Sequence, residues 1–182
     1  MWAQVGEEGS TDPPFSGNQA DRAGIEGALD SFLGSYDHLL DQKGRLALPR
    51  PFKRIIGVKE DGREPQVILA RGFDGCLYGL SEEQWPRFEK TLREQAVSDE
   101  EARAFCREMA DHLCPVPVDT VGRIVIPNTH LEIGKLKKGK EVKILGMVWY
   151  FEIWNSNVYS EYRQAKTTSG SYEERAKKLF MT

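Results

Sequence analysis

Two nine-residue segments hold the side chains with the clearest chemical potential. Asp41-Gln42-Lys43-Gly44-Arg45-Leu46-Ala47-Leu48-Pro49 returns 78 positions later as Asp119-Thr120-Val121-Gly122-Arg123-Ile124-Val125-Ile126-Pro127, with four identities and three further apolar matches. At roughly 5% chance identity per site, coincidence explains this poorly and internal duplication explains it well. In an Asp-x-x-Gly-Arg turn, Asp41 and Asp119 accept hydrogen bonds from turn N–H groups, and Gly44 and Gly122 supply a positive φ that other residues tolerate poorly. Arg45 and Arg123 emerge beside the turns, and Pro49 and Pro127 end the strands that follow, since proline cannot donate to a ladder. Two uses of the arginines compete. Each pairs with its own aspartate and braces the turn, or each reaches outward to phosphate oxygens and guanine edges.

The surroundings of the first copy favour the outward use. Lys43, Arg45, Arg50, Lys53 and Arg54 lie within a dozen residues, opposed by Asp41 and by no further acid until Glu60. Five cations on a loop and the turn after it make a phosphate-binding surface, and a major groove admits a loop or a β-ribbon. The second copy keeps Arg123 but has Thr120 and Val121 where the first has Gln42 and Lys43, and its lysines (Lys135, Lys137, Lys138, Lys140) lie downstream in a linker. A lysine run of that kind reads as a solvated turn. The expectation is that the first loop reads DNA and the second mainly holds the architecture.

The elements that must position these loops are also written twice. Strand-like segments, Ser35 to Leu40 and Leu113 to Val118, precede each aspartate, so strand, tight turn, strand is the economical reading. After the motifs come Phe52-Lys53-Arg54-Ile55-Ile56-Gly57 and His130-Leu131-Glu132-Ile133-Gly134. Each leads to two β-prone runs: Val67 to Ala70 and Cys76 to Leu80 around the turn Gly72-Phe73-Asp74-Gly75, then Val142 to Leu145 and Trp149 to Trp154 with Gly146 near the reversal. Ser81-Glu82-Glu83-Gln84 has the form of a capping box ahead of Trp85, Phe88 and Leu92 at helical spacing. Asn155 is the expected cap of a helix bearing Val158, Tyr159 and Tyr162. Between the copies, Ser98-Asp99-Glu100-Glu101 opens a helix with Phe105 and Met109, a strut joining them. The domain reading is an acidic extension at 1–30, repeat 1 at 31–96, a linking helix at 97–111, repeat 2 at 112–168, and a tail at 169–182 with a short amphipathic helix.

Composition removes several function classes. The longest apolar runs, such as Met147 to Phe151, fall far below the roughly 18 residues a spanning helix needs, and the polar, acidic start does not read as a signal peptide. Cys76, Cys106 and Cys114 are odd in number and unpaired in spacing, which reads as reduced thiols in a cytoplasmic protein. His38, His112 and His130 are scattered, so neither a metal nor a cofactor is expected. The formal charge of −3 is uneven: residues 1–30 carry six acids against Arg22, a balance of −5, which leaves +2 for residues 31–182. The acidic stretch has no apolar period and is expected to be disordered.

Phe32-Leu33-Gly34-Ser35-Tyr36 leading into the first motif, with the second motif at Asp119 to Arg123, closely resembles the MraZ family over about residues 32 to 166. That resemblance implies an α+β, β-rich fold: two swapped-hairpin repeats of the AbrB/SpoVT type forming a pseudo-symmetric double-split β-barrel with peripheral helices. It implies a homo-oligomeric ring of eight or more subunits and binding to double-stranded DNA. It further implies repression at direct repeats upstream of the bacterial division and cell-wall gene cluster, in a cytoplasmic, nucleoid-associated protein. Lys43 and Arg45 match the positions carrying much of the DNA contact. The acidic front departs from the family pattern, which begins close to the Phe-x-Gly element.

Two other classes compete. As an enzyme the chain would use Asp41 and Asp119 as an acid/base pair, but it shows no positioned nucleophile, metal cluster or phosphate-cradling glycine loop. As an AbrB-type antitoxin or interaction module it would wrap a partner with Tyr172 to Phe180. Against this, such antitoxins carry one motif copy per chain.

Overall fold

The computed structural model describes residues 31–57, 64–97, 99–168 and 170–180. The stretch 1–30, with its expected disorder, lies outside the described residues. The first copy supplies β1 (Ser35–Leu39), β2 (Arg45–Ala47), α1 (Arg50–Ile56), β3 (Gln66–Arg71) and β4 (Leu77–Ser81). The helices α2 (Trp85–Ala96) and α3 (Glu100–Ala110) follow. The second copy repeats the first with β5 (Cys114–Pro117), β6 (Arg123–Val125), α4 (Asn128–Ile133), β7 (Glu141–Gly146) and β8 (Phe151–Asn155). The chain then runs through α5 (Ser156–Thr168) and α6 (Tyr172–Phe180). The fold is mixed α+β and strand-rich, with all pairings antiparallel.

The copies exchange strands. The larger sheet has the order β1-β7-β8-β4-β3-β5, and β2 pairs with β6 in a separate two-stranded ribbon. The first strand of each copy therefore lies against the hairpin of the other: Ser35 opposes Leu145, and Leu69 opposes Cys114. The larger sheet is open, with β1 and β5 at its ends, and its ladders do not close into a barrel among the described residues.

Period-two alternation decides where each strand residue goes. Val67, Leu69, Leu77, Val142, Ile144, Phe151 and Ile153 face one core, which they share with Leu46 and Ile124 of the ribbon and with Phe52 and Leu131 of α1 and α4. The intervening Ala70, Tyr78, Leu80 and Trp154 face a second cluster, with Phe88 of α2 and Val158, Tyr159 and Tyr162 of α5 packed against it. The central strands are thus covered on both sides, which is why β4 is buried along its whole length.

Helix ends follow local chemistry with one departure. Asp99 caps α3, its side chain accepting from the Ala102 N–H at 2.8 Å, and Asn155 Oδ1 accepts from the Asn157 N–H at 2.9 Å at the start of α5. The Ser81–Gln84 capping box does not form: Ser81 is still in the β4 ladder opposite Val67, one turn too early, and α2 starts at Trp85-Pro86 behind Gln84. Ser81 Oγ and Gln84 Oε1 are both buried without a hydrogen-bond partner. A genuine capping box opens α6, where Ser171 Oγ accepts from the Glu174 N–H at 3.1 Å and Glu174 Oε2 accepts from the Ser171 N–H at 2.8 Å.

The segment after Pro49, read from sequence as a turn, is the helix α1, because Pro49 at the N-cap and Pro51 in the first turn set φ for helix entry. It brings Phe52 against the rings of Phe32 (4.9 Å), Tyr36 (5.4 Å) and Phe151 (5.5 Å). His130 stands 78 positions on from Phe52, buried in α4, its Nε2 3.0 Å from the His112 carbonyl oxygen. Burial lowers its pKa from the usual 6.5, so the unfolded chain binds a proton more readily. The stability this neutral ring supports is full above pH 6.5 and falls as pH drops through that value toward the folded pKa. We expect thermal melts between pH 7.5 and pH 5 to show a decline that His130→Phe reduces; equal declines in both proteins would refute the assignment.

Candidate nucleic-acid interface

Both Asp-x-x-Gly-Arg turns have one geometry. Gly44 and Gly122 have φ of 77° and 79°, the left-handed backbone that lets the chain reverse. Their N–H groups donate to the carbonyls of Asp41 and Asp119 at 3.0 and 2.8 Å. Asp41 Oδ1 accepts from the N–H groups of Lys43 and Arg45 at 2.8 and 2.9 Å, and its Oδ2 takes Arg45 Nε at 2.6 Å. Asp119 repeats this with Val121 (3.1 Å), Arg123 (2.8 Å) and Arg123 Nε (2.7 Å). The turns also lock each other: the Leu48 N–H donates to the Gly122 carbonyl at 3.0 Å and the Ile126 N–H to the Gly44 carbonyl at 2.9 Å.

The bracing use of the arginines is therefore real, but it does not consume them. Each pair engages Nε alone, and the side chains of Arg45 and Arg123 remain 35% and 37% exposed. Tethering Nε to a carboxylate orients the guanidinium and leaves its two Nη groups, the pair that can grip guanine O6 and N7 together. The Arg45 backbone N–H, with its side chain and the Lys43 N–H, holds the Asp41 carboxyl below its usual 3.8, and Arg123 does the same for Asp119. Carboxylates so held are ionised at neutral pH and have their oxygens committed, a poor arrangement for a general acid.

The ribbon then puts both arginines on one surface. Arg45 opposes Val125, Leu46 opposes Ile124, and Ala47 opposes Arg123. Leu46 and Ile124 are fully buried. By alternation, Arg45, Ala47, Arg123 and Val125 share the opposite, outward face, with the arginines about 7–8 Å apart on the diagonal.

Cations from each copy cross to the other's turn. Lys53 of α1 lies over the second turn, its Nζ donating to the Val121 carbonyl at 2.7 Å; a Cβ on Gly122 would stand 2.4 Å from its Cδ. The 137–140 turn docks on the first loop, where the Gly139 N–H donates to the Leu40 carbonyl at 2.7 Å. This brings Lys138 Cε to within 3.4 Å of where a Gly44 Cβ would be. The lysine run that reads as a solvated linker in sequence thus adds charge to the first loop. Arg50 and Arg54 are exposed one helical turn apart on α1, and no hydrogen bond or ion pair among the described residues ties them to either turn. The crossing of Lys53 and Lys138 leaves no sequence signal, because it depends on the exchange of strands.

A family model for MraZ proteins, described as antitoxin-like, matches the chain twice, over residues 31–108 and 109–180. The chain belongs to the MraZ family. The transcriptional regulator MraZ of Caldicellulosiruptor saccharolyticus is 35% identical over 147 residues, covering 81% of this chain and 95% of that protein. Its counterpart in Moorella thermoacetica is 33% identical over 148 residues, covering 81% and 96%. That of Lactiplantibacillus plantarum is 30% identical over 148 residues, covering 81% and 97%. The two MraZ matches each take in one Asp-x-x-Gly-Arg turn. No helix among the described residues is long and apolar enough to cross a membrane.

Proposed function

We propose that this MraZ-family chain is a sequence-specific regulator that binds double-stranded DNA through the outward face of the β2–β6 ribbon. The observation that carries this is the placement of Arg45 and Arg123 together on that face, each oriented by its own aspartate. Lys43, Lys53 and Lys138 at the turns, with Arg50 and Arg54 on α1, supply phosphate contacts around a pair of guanine-reading arginines. The relatives' name, transcriptional regulator, supports the same reading.

In this reading the larger sheet and the ribbon are the walls of a pseudo-symmetric double-split barrel, built from repeat 1 (31–96) and repeat 2 (112–168) with the helix of 97–111 between them. The chain assembles into a ring of eight or more subunits and represses transcription at direct repeats upstream of the division and cell-wall gene cluster, in the nucleoid-associated cytoplasm. A ring suits a protomer whose core carries only +2, because weak clusters presented together to repeated sites gain through effective concentration. The test is a salt titration of binding to the duplex upstream of this gene. Affinity is expected to fall about 10³-fold or more between 50 and 200 mM salt for six or more phosphate contacts; a flat dependence would sink the phosphate-contact reading.

A further inference from the structure

The second copy's half of the ribbon presents something the first does not. At equivalent positions the first copy has Lys43, Arg45 and Ala47, and the second has Val121, Arg123 and Val125. Val121 is 55% exposed at the tip of its turn, and Val125 is 53% exposed on the ribbon face. A single exposed valine is unremarkable. Two of them bracketing the arginine of a surface otherwise built from cations are a patterned feature. Val125 also stands directly opposite Arg45, which puts their Cβ atoms about 4.5–5.5 Å apart, whereas Arg123 has only Ala47 opposite it.

In a major groove the one apolar feature on a base edge is the 5-methyl group of thymine. A branched side chain beside an arginine that holds guanine is placed over the neighbouring base, and charge complementarity around both turns selects a duplex as the occupant of this face. Building on the DNA-binding reading, we propose that Val125 reads a thymine methyl next to the guanine held by Arg45. The second copy is then a base-reading element as well as a scaffold, and the site is asymmetric: thymine is selected on the Arg45 side, while Ala47 leaves the base beside Arg123 less discriminated.

The experiment begins with selection of a preferred duplex from a randomised pool. Each thymine in that duplex is then replaced by deoxyuridine, which removes the methyl group and keeps the base-pairing edge. For the wild-type protein one position should weaken binding about four-fold, the effect of one methyl-sized group, with the rest unaffected. Val125→Ala, whose fold is checked by its melting curve, should bind the thymine duplex about four-fold more weakly and be indifferent to deoxyuridine at the critical position. Wild-type binding that is the same with thymine and deoxyuridine everywhere overturns the proposal, as does a Val125→Ala protein that keeps both full affinity and the full deoxyuridine penalty. Failure of the DNA-binding reading looks different, because no sequence would then be enriched from the pool.

Discussion

Arg45→Ala and Arg123→Ala are each expected to weaken binding to the duplex upstream of this gene by one to two orders of magnitude, the about 1–3 kcal/mol of a bidentate guanine contact. Sequence alone ranks the first loop above the second, because only the first has a lysine before its glycine. The ribbon changes that expectation for the arginines: both are tethered through Nε and both leave the same face, so their losses should be of the same order. Arg→Lys should rescue either site only in part, since an ammonium on a flexible stem has no Nε for the aspartate to hold and lacks the planar fork. The difference between the copies belongs to the turn tips. Lys43→Ala should reduce the slope of affinity against salt by about one without altering base preference, whereas Val121→Ala should leave the slope unchanged. Mobility shifts at several salt concentrations, beside melting curves showing folded variants, read all of this. Full affinity in both arginine variants would refute the proposed face.

Gly79→Ala should be strongly destabilising. Gly79 lies in β4 opposite Phe151, and a Cβ there would stand 2.2 Å from the phenyl ring. That ring is fully buried and fixed between Phe32 at 5.2 Å and Phe52 at 5.5 Å, so it has nowhere to move. Forced overpacking of this kind costs about 3 kcal/mol, which for a protein of this size lowers the melting temperature by about 6–12 °C. Thermal unfolding followed by circular dichroism measures it. A variant melting with the wild type would show that the ring has room the structure does not contain. Because Phe52 ties α1 to this cluster, the loss should extend to the placement of Lys53 over the second turn.

Much of this molecule is local and was therefore legible in the residues. The duplicated motif, its turn glycines, the strands before and after it and the cap at Asn155 all follow from interactions spanning a few positions. Ser81 shows the limit of such reading: its capping pattern is sound locally, yet pairing with β3 holds it in the sheet. Lys135 shows another limit. It takes the positive φ of 50° that Gly57 takes at the equivalent position of the first copy, although Gly134 next door is the residue a sequence pattern would nominate.

The Asp-x-x-Gly-Arg turns were thus determined by sequence, since each aspartate bonds only to residues two to four positions away. What the turns face together was decided by tertiary structure. Exchange of strands between the copies sets β2 against β6, turns two separate arginines into one surface, and carries Lys53 and Lys138 across to the opposite turn. The physical reason is that a motif's hydrogen bonds fix its shape, whereas its partners are fixed by burial of Leu46 and Ile124 in a core to which both copies contribute.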